Sequence, residues 1–307
     1  MNTAISLGTL RLKNPVLVAS GTFGYAEEFK NLIKVERLGA LVTKTITLCP
    51  RQGNLPPRIA ETPSGMLNSI GLENKGLDNF IKEKLPHLKK LDTPIVVSIA
   101  GESLNEYAEL AKKLSLKGIS ALELNLSCPN IKAAKIKNQR GTLISQDASA
   151  TYKVIKAVRR STKKTIIAKL TPNVGDISLI ARAAEDAGAD SISLVNTFLA
   201  MSIDIKSKKP KLANITGGLS GPAIKPIALR MVWEVARAVK IPVVGCGGIM
   251  TASDAIEFII AGARAVQIGT ANFVNPKAAT DIILGIKDYM RINKITNINK
   301  LIGSLKV

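Results

Sequence analysis

Apolar residues in this chain gather into short unbroken runs. Eight recur along its length: PVLVASGTF (15–23), ALVTKTIT (40–47), PIVVSIAG (94–101), ALELNLSCP (121–129), TIIAKLTP (165–172), SISLVNT (191–197), PVVGCGGI (242–249) and AVQIGTAN (265–272). A run of that length, apolar on both faces, is what a strand inside a parallel sheet requires. Amphipathic stretches between them predict helices near 27–37, 76–90, 104–117, 147–162, 176–187, 224–239, 252–262 and 276–290. Strand and helix in alternation mean βα units. Eight units in 307 residues, with no break in composition, predict an α/β fold of one domain, 1–307, as a (β/α)8 TIM barrel in preference to a doubly wound open sheet. Two connections, 48–75 and 198–223, are longer than neighbouring elements need. In a barrel they read as inserted loops at the C-terminal face, where the βα loops gather.

If that face holds a site, polar residues should collect where the runs end. Ser20, Lys44, Asn125, Cys128, Lys169, Asn196, Thr197 and Thr270 all fall there. Any one of them alone is a turn or cap residue; eight together point to a site. The seventh and eighth runs finish in GCGGI and IGTAN, and glycines after these two strands commonly let backbone N–H groups close on a phosphate. A phosphorylated ligand is therefore expected near Gly247, Gly248, Gly269 and Thr270. Lys44 and Lys169 stand in apolar surroundings where an ammonium is costly unless it faces an anion or an electron-rich ring. Glu123 shares strand parity with Asn125 and is expected inside the barrel as a buried partner for an inward lysine.

Cys128 sits at the exit of its run, between Ser127 and Pro129. It lacks a histidine partner, because the one histidine, His87, lies in KLPHLKK, an amphipathic helix near its basic end. A lone thiol can still accept a proton once nearby cations enlarge its thiolate fraction, and Lys132, Lys135, Lys137 and Arg140 follow it. Cys49 and Cys246 read as small buried thiols. The three cysteines have no spacing for zinc or an iron–sulfur cluster, so no metal site is expected.

Composition adds limits. At 46% hydrophobic residues the chain can build a large core, yet no run of eighteen apolar residues appears. The N-terminus shows no secretory pattern, so a cytoplasmic protein without membrane contact is expected. Forty-three Lys and Arg against 23 Asp and Glu give a net charge of +20. That would favour nucleic acid, but the lysines are spread along the chain and aromatics suited to stacking make up only 4%, so a solvated basic surface is the simpler expectation.

NPVLVASGTFG, TKTIT followed by PRQGNLPPR, GMLNSIGLEN, ELNLSCPN, AKLTPN, SLVNT, GGLSGPAIKP, GCGGI and IGTAN together give a pattern that closely resembles the dihydroorotate dehydrogenases along essentially the whole chain. Cysteine at position 128 is similar to the soluble class 1 enzymes, and ETPSGMLNSIGLEN looks like the NAD-linked class 1B rather than the fumarate-linked class 1A. The resemblance implies oxidation of (S)-dihydroorotate to orotate in pyrimidine biosynthesis, with one FMN per chain. It implies FMN contacts from Ser20, Lys44, Thr45, Ser98, Asn125, Lys169, Val195, Gly221, Gly247, Gly248, Gly269 and Thr270. At Ser98 the family often carries asparagine. The implied substrate residues are Lys44, Asn68, Ser69, Ile70, Gly71, Leu72, Asn125, Asn130, Asn196 and Thr197. Cys128 would be the base, Lys169 would stabilise charge at the flavin, and 131–141 would act as a lid. A partner subunit with FAD and [2Fe–2S] would pass electrons to NAD+ in a heterotetramer built on a homodimer. The alternatives are class 1A and a tRNA-dihydrouridine synthase. Against the second, only about seventeen residues follow the last expected helix, too few for a helical tRNA-binding domain. A barrel without catalysis that binds nucleic acid would leave the strand-end residues unexplained.

Overall fold

The computed structural model describes residues 1–126 and 144–306. Cys128, Asn130 and the segment 131–141 lie outside the described residues. Eight parallel strands form a closed barrel: β1 (Val16–Val18), β2 (Ala40–Val42), β3 (Ile95–Ile99), β4 (Ala121–Asn125), β5 (Thr165–Lys169), β6 (Ser191–Leu194), β7 (Val243–Cys246) and β8 (Ala265–Ile268). They stand in chain order around the ring, and β8 closes on β1 through Val266↔Val16, Gln267↔Leu17 and Ile268↔Val18. Each predicted run contains one strand. The polar residues expected at the run ends stand on the last residue of a strand, as Asn125 and Lys169 do, or just beyond it, as Ser20, Lys44, Asn196, Thr197 and Thr270 do, so the ladder ends and the polar wall begins at the same level.

Helices α1 (Leu104–Lys113), α2 (Ala148–Ser161), α3 (Ile177–Asp186), α4 (Lys225–Ala238), α5 (Ala252–Ile260) and α6 (Ala278–Ile292) surround the barrel. Their starts are written locally: Ser103, Asp147 and Asp176 accept hydrogen bonds from first-turn backbone N–H groups, and Thr251 with Asp254 forms a capping box. The stretch 76–90 is helical from Gly76 to Leu88, with a π turn at Phe80–Lys84. The helix expected over 27–37 is absent. Two 3-10 turns, Glu27–Phe29 and Val35–Arg37, stand there instead. Ala26 is left-handed and Lys34 extended, which breaks the repeat on both sides, and Val35 and Leu38 are buried while Leu32 faces solvent.

At the N-terminal end a hairpin of Ile5–Leu7 and Leu10–Leu12 lies across the strand starts. The Thr9 hydroxyl is 2.9 Å from that of Thr165 at the start of β5, and Leu7 and Leu12 are fully buried. At the opposite end the two long insertions form a single antiparallel sheet in the order Phe198–Met201, Thr216–Ser220, Gly65–Asn68, Ile59–Thr62. Gly218 pairs with Asn68, and Leu219 with Leu67. The approach is close: a Cβ on Gly218 would lie 2.0 Å from Thr197 Oγ1.

Candidate active site

Between the strand ends and this upper sheet lies a cavity of about 440 Å³, within the range of small-ligand sites. Its wall is a hydrogen-bonded set of side chains drawn from several strands. The hydroxyls of Ser20 and Thr45 are 3.0 Å apart, and Thr45 in turn lies 2.9 Å from Ser98. Asn125 Nδ2 donates to Thr45 Oγ1 at 3.4 Å, and Asn125 Oδ1 accepts from Asn196 Nδ2 at 3.2 Å. Asn196 Oδ1 accepts from the Thr197 backbone N–H, and Asn68 Nδ2 donates to the Gly218 carbonyl across the upper sheet. Each amide is thus held in a known orientation.

Lys169, the last residue of β5, reaches the floor of the cavity with only 6% of its surface exposed. Its Nζ donates to Gln267 Oε1 at 3.3 Å and is 3.9 Å from Glu123 Oε1. Burial pulls the ammonium's pKa down, but the Glu123 carboxylate and the Cys246 thiol beside it outweigh that, so it stands above the ordinary lysine value. Burial has the opposite effect on Cys246, pushing its thiol up despite Lys169. Glu123 is fully buried, as its strand parity predicts.

On the far wall, the turn after β7 closes against the start of α4. Gly248 has φ +73°, and a Cβ there would lie 2.7 Å from Lys225 Cβ, so only glycine fits. Thr270 Oγ1 donates to Ser220 Oγ at 2.8 Å, joining the β8 turn to the upper sheet. Asn74 fixes the opposite rim: its amide donates to Thr47 Oγ1 and to the Leu72 carbonyl, both at 2.8 Å, and accepts from the Thr47 and Gly76 N–H groups. That bracket holds Gly71 and Leu72, both left-handed, against the cavity.

Of the residues expected around a cofactor, Ser20, Lys44, Thr45, Asn125, Lys169, Val195, Gly221, Gly247, Gly248, Gly269 and Thr270 line this cavity. Ser98 stands one side chain behind it, fully buried against Thr45. Of the expected substrate residues, Lys44, Asn68, Ile70, Gly71, Leu72, Asn125, Asn196 and Thr197 line it, while Ser69 is buried behind the rim. Cys49 is exposed, not buried, because it lies in the insertion beyond β2. Sequence reasoning missed Cys246 as a wall residue and Gln267 as a barrel residue. The signal for the second was present, since an amide inside the apolar run AVQIG needs a partner.

The model of the dihydroorotate dehydrogenase family matches residues 3–290. The chain belongs to the dihydroorotate dehydrogenase family. Members close in sequence are named dihydroorotate dehydrogenase B (NAD(+)), catalytic subunit. That of Thermoanaerobacter sp. (strain X514) is 53% identical over 307 residues, covering all of both chains. That of Geotalea daltonii is 52% identical over 305 residues, 99% of this chain and 98% of the relative. That of Trichlorobacter lovleyi is 53% identical over 304 residues, again 99% and 98%. Within this family, the cavity at the strand ends is where dihydroorotate dehydrogenase chemistry would be housed by the barrel rule.

Proposed function

We propose that this chain is the catalytic subunit of an NAD+-linked dihydroorotate dehydrogenase, oxidising (S)-dihydroorotate to orotate in de novo pyrimidine biosynthesis in the cytoplasm. The observation that carries the reading is Lys169, a buried ammonium at the floor of a cavity walled by oriented amides and by a glycine turn. The donor set fits FMN. The Gly247–Gly248 and Gly269–Thr270 turns leave backbone open toward a phosphate, hydroxyls of Ser20 and Thr45 offer hydrogen bonds, and Lys169 supplies positive charge.

When bound, FMN supplies the two-electron acceptor for the hydride leaving C6 of dihydroorotate. Cys128 takes the C5 proton onto Sγ, so that the C5–C6 double bond of orotate forms from the electrons of the C–H bond. Lys169 would keep its proton and hold its positive charge beside a flavin that gains electrons. Asn68, Asn125, Asn130 and Asn196 hold the planar ring, because a side-chain amide offers both donor and acceptor to alternating ring groups. A partner carrying FAD and [2Fe–2S] would pass electrons on to NAD+ in a heterotetramer built on a homodimer; that the full-length relatives are named catalytic subunits supports a partner subunit.

The test is anaerobic mixing of the flavin-loaded protein with dihydroorotate, followed by flavin absorbance, in wild type and C128A. Rapid bleaching in the wild type, slowed about 10²–10⁴-fold in the variant, is expected for loss of a general base. A wild-type flavin that stays oxidised overturns the assignment.

A further inference from the structure

Beneath the cavity floor, the barrel holds a polar layer that the reaction as described does not use. Barrel interiors are ordinarily filled by branched aliphatic side chains. Here Glu123 from β4, Ser193 from β6 and Gln267 from β8 are each fully buried and hydrogen-bonded to one another or to Lys169. The strands β4 and β8 lie on opposite sides of the ring, so the bond from Gln267 Nε2 to Glu123 Oε2 spans the barrel interior. That bond settles the orientation of the Gln267 amide. With its nitrogen turned to Glu123, its oxygen faces Lys169 Nζ at 3.3 Å and accepts from Ser193 Oγ at 3.2 Å.

Neither Glu123 nor Gln267 lines the cavity, whereas Lys169 does. Glu123 is also one inward step below Asn125, the wall residue on the same strand that pairs with Lys169. We infer that Glu123 and Gln267 are positioning residues for Lys169, fixing its ammonium as a charged, directed group at the cavity floor while touching neither cofactor nor substrate. A buried ion pair is seldom more stabilising than apolar residues of similar volume. A carboxylate and an amide spanning the barrel beneath a site therefore earn their place through the group they aim. The titratable groups facing Lys169 among the described residues are Glu123 and the thiol of Cys246 on β7; β6 and β8 present the neutral Ser193 and Gln267.

The inference rests on the flavin reading above, and two measurements separate their failures. The first is the reduction potential of the bound flavin against pH in wild type, E123Q and E123Q/Q267E. In E123Q the buried ammonium loses its counter-charge and gives up its proton at the alkaline end. Reduction then returns that proton, and the potential falls about twice as steeply with pH there as in the wild type. The double variant places a carboxylate on β8 beside the same ammonium and restores the wild-type slope. A wild-type slope in E123Q, or a steep slope persisting in the double variant, overturns the inference. The second needs no flavin: the Lys169 side-chain carbon resonance in the full chain, assigned with K169R, titrates about 1–3 units lower in E123Q. An unmoved midpoint overturns the inference, while a wild type that binds no flavin or ignores dihydroorotate overturns the functional reading and leaves this second measurement decisive.

Discussion

Lys169 shows how one residue connects sequence to site. Its ammonium is legible as functional because it closes an apolar strand, where desolvation must be offset by something specific. What offsets it came only in part from the sequence. Glu123 was predicted by parity, but a strand buried on both faces gives parity little force at Gln267, and the bond across the barrel joins residues far apart in the chain. Removing the cation leaves Glu123 buried without its charge partner. K169M is therefore expected to lose about 3–5 kcal/mol of stability, measured by urea unfolding of the flavin-free chain against wild type. Cys128 is proposed from its place at a run's exit alone, and the C128A experiment decides its role, since it lies outside the described residues.

Elements are held in register by a few polar contacts whose energetics depend on pH. Lys225, at the start of α4, donates to Asp254 at 2.7 Å and to Glu257 at 2.9 Å on α5, so two helix starts share one cation beside the Gly248 turn. Partial burial pushes the Asp254 carboxyl up, but the Lys225 ammonium and the N–H and hydroxyl groups of Met250 and Thr251 outweigh it and hold the carboxyl below its usual value. A folded-state value below the unfolded one adds stability above the unfolded pKa, which disappears as pH falls through the folded value. D254N lacks this contribution already at neutral pH. Its unfolding free energy from urea titration is expected to lie below wild type by about 1–2 kcal/mol at about pH 7, with the gap narrowing below about pH 4. The same scale explains one failure of sequence reading. The stretch 27–37 carries apolar residues at helical spacing, yet its ends adopt left-handed and extended conformations and only short turns survive.

At the scale of the whole molecule, the eight runs gave the barrel because a buried parallel strand is a local pattern. The upper sheet had no such signature: Thr216–Ser220 and Gly65–Asn68 pair across about 150 residues, with three glycines among them that read as loop. The two ends of the barrel are correspondingly different in kind. The lower end is closed by the N-terminal hairpin, whose buried leucines are pure packing, and L7A is expected to cost about 2–5 kcal/mol while leaving the rate of flavin reduction unchanged. Chemical unfolding and anaerobic reduction of the same preparation check both halves. The upper end is built from two insertions that complete each other's hydrogen-bond ladder, and each contributes side chains to the cavity. Such insertions are exchangeable only as a set. A chimera that took one from another barrel would expose an open edge above its own ligand, so a change of substrate by loop grafting has to move both segments together, as a single inherited cassette.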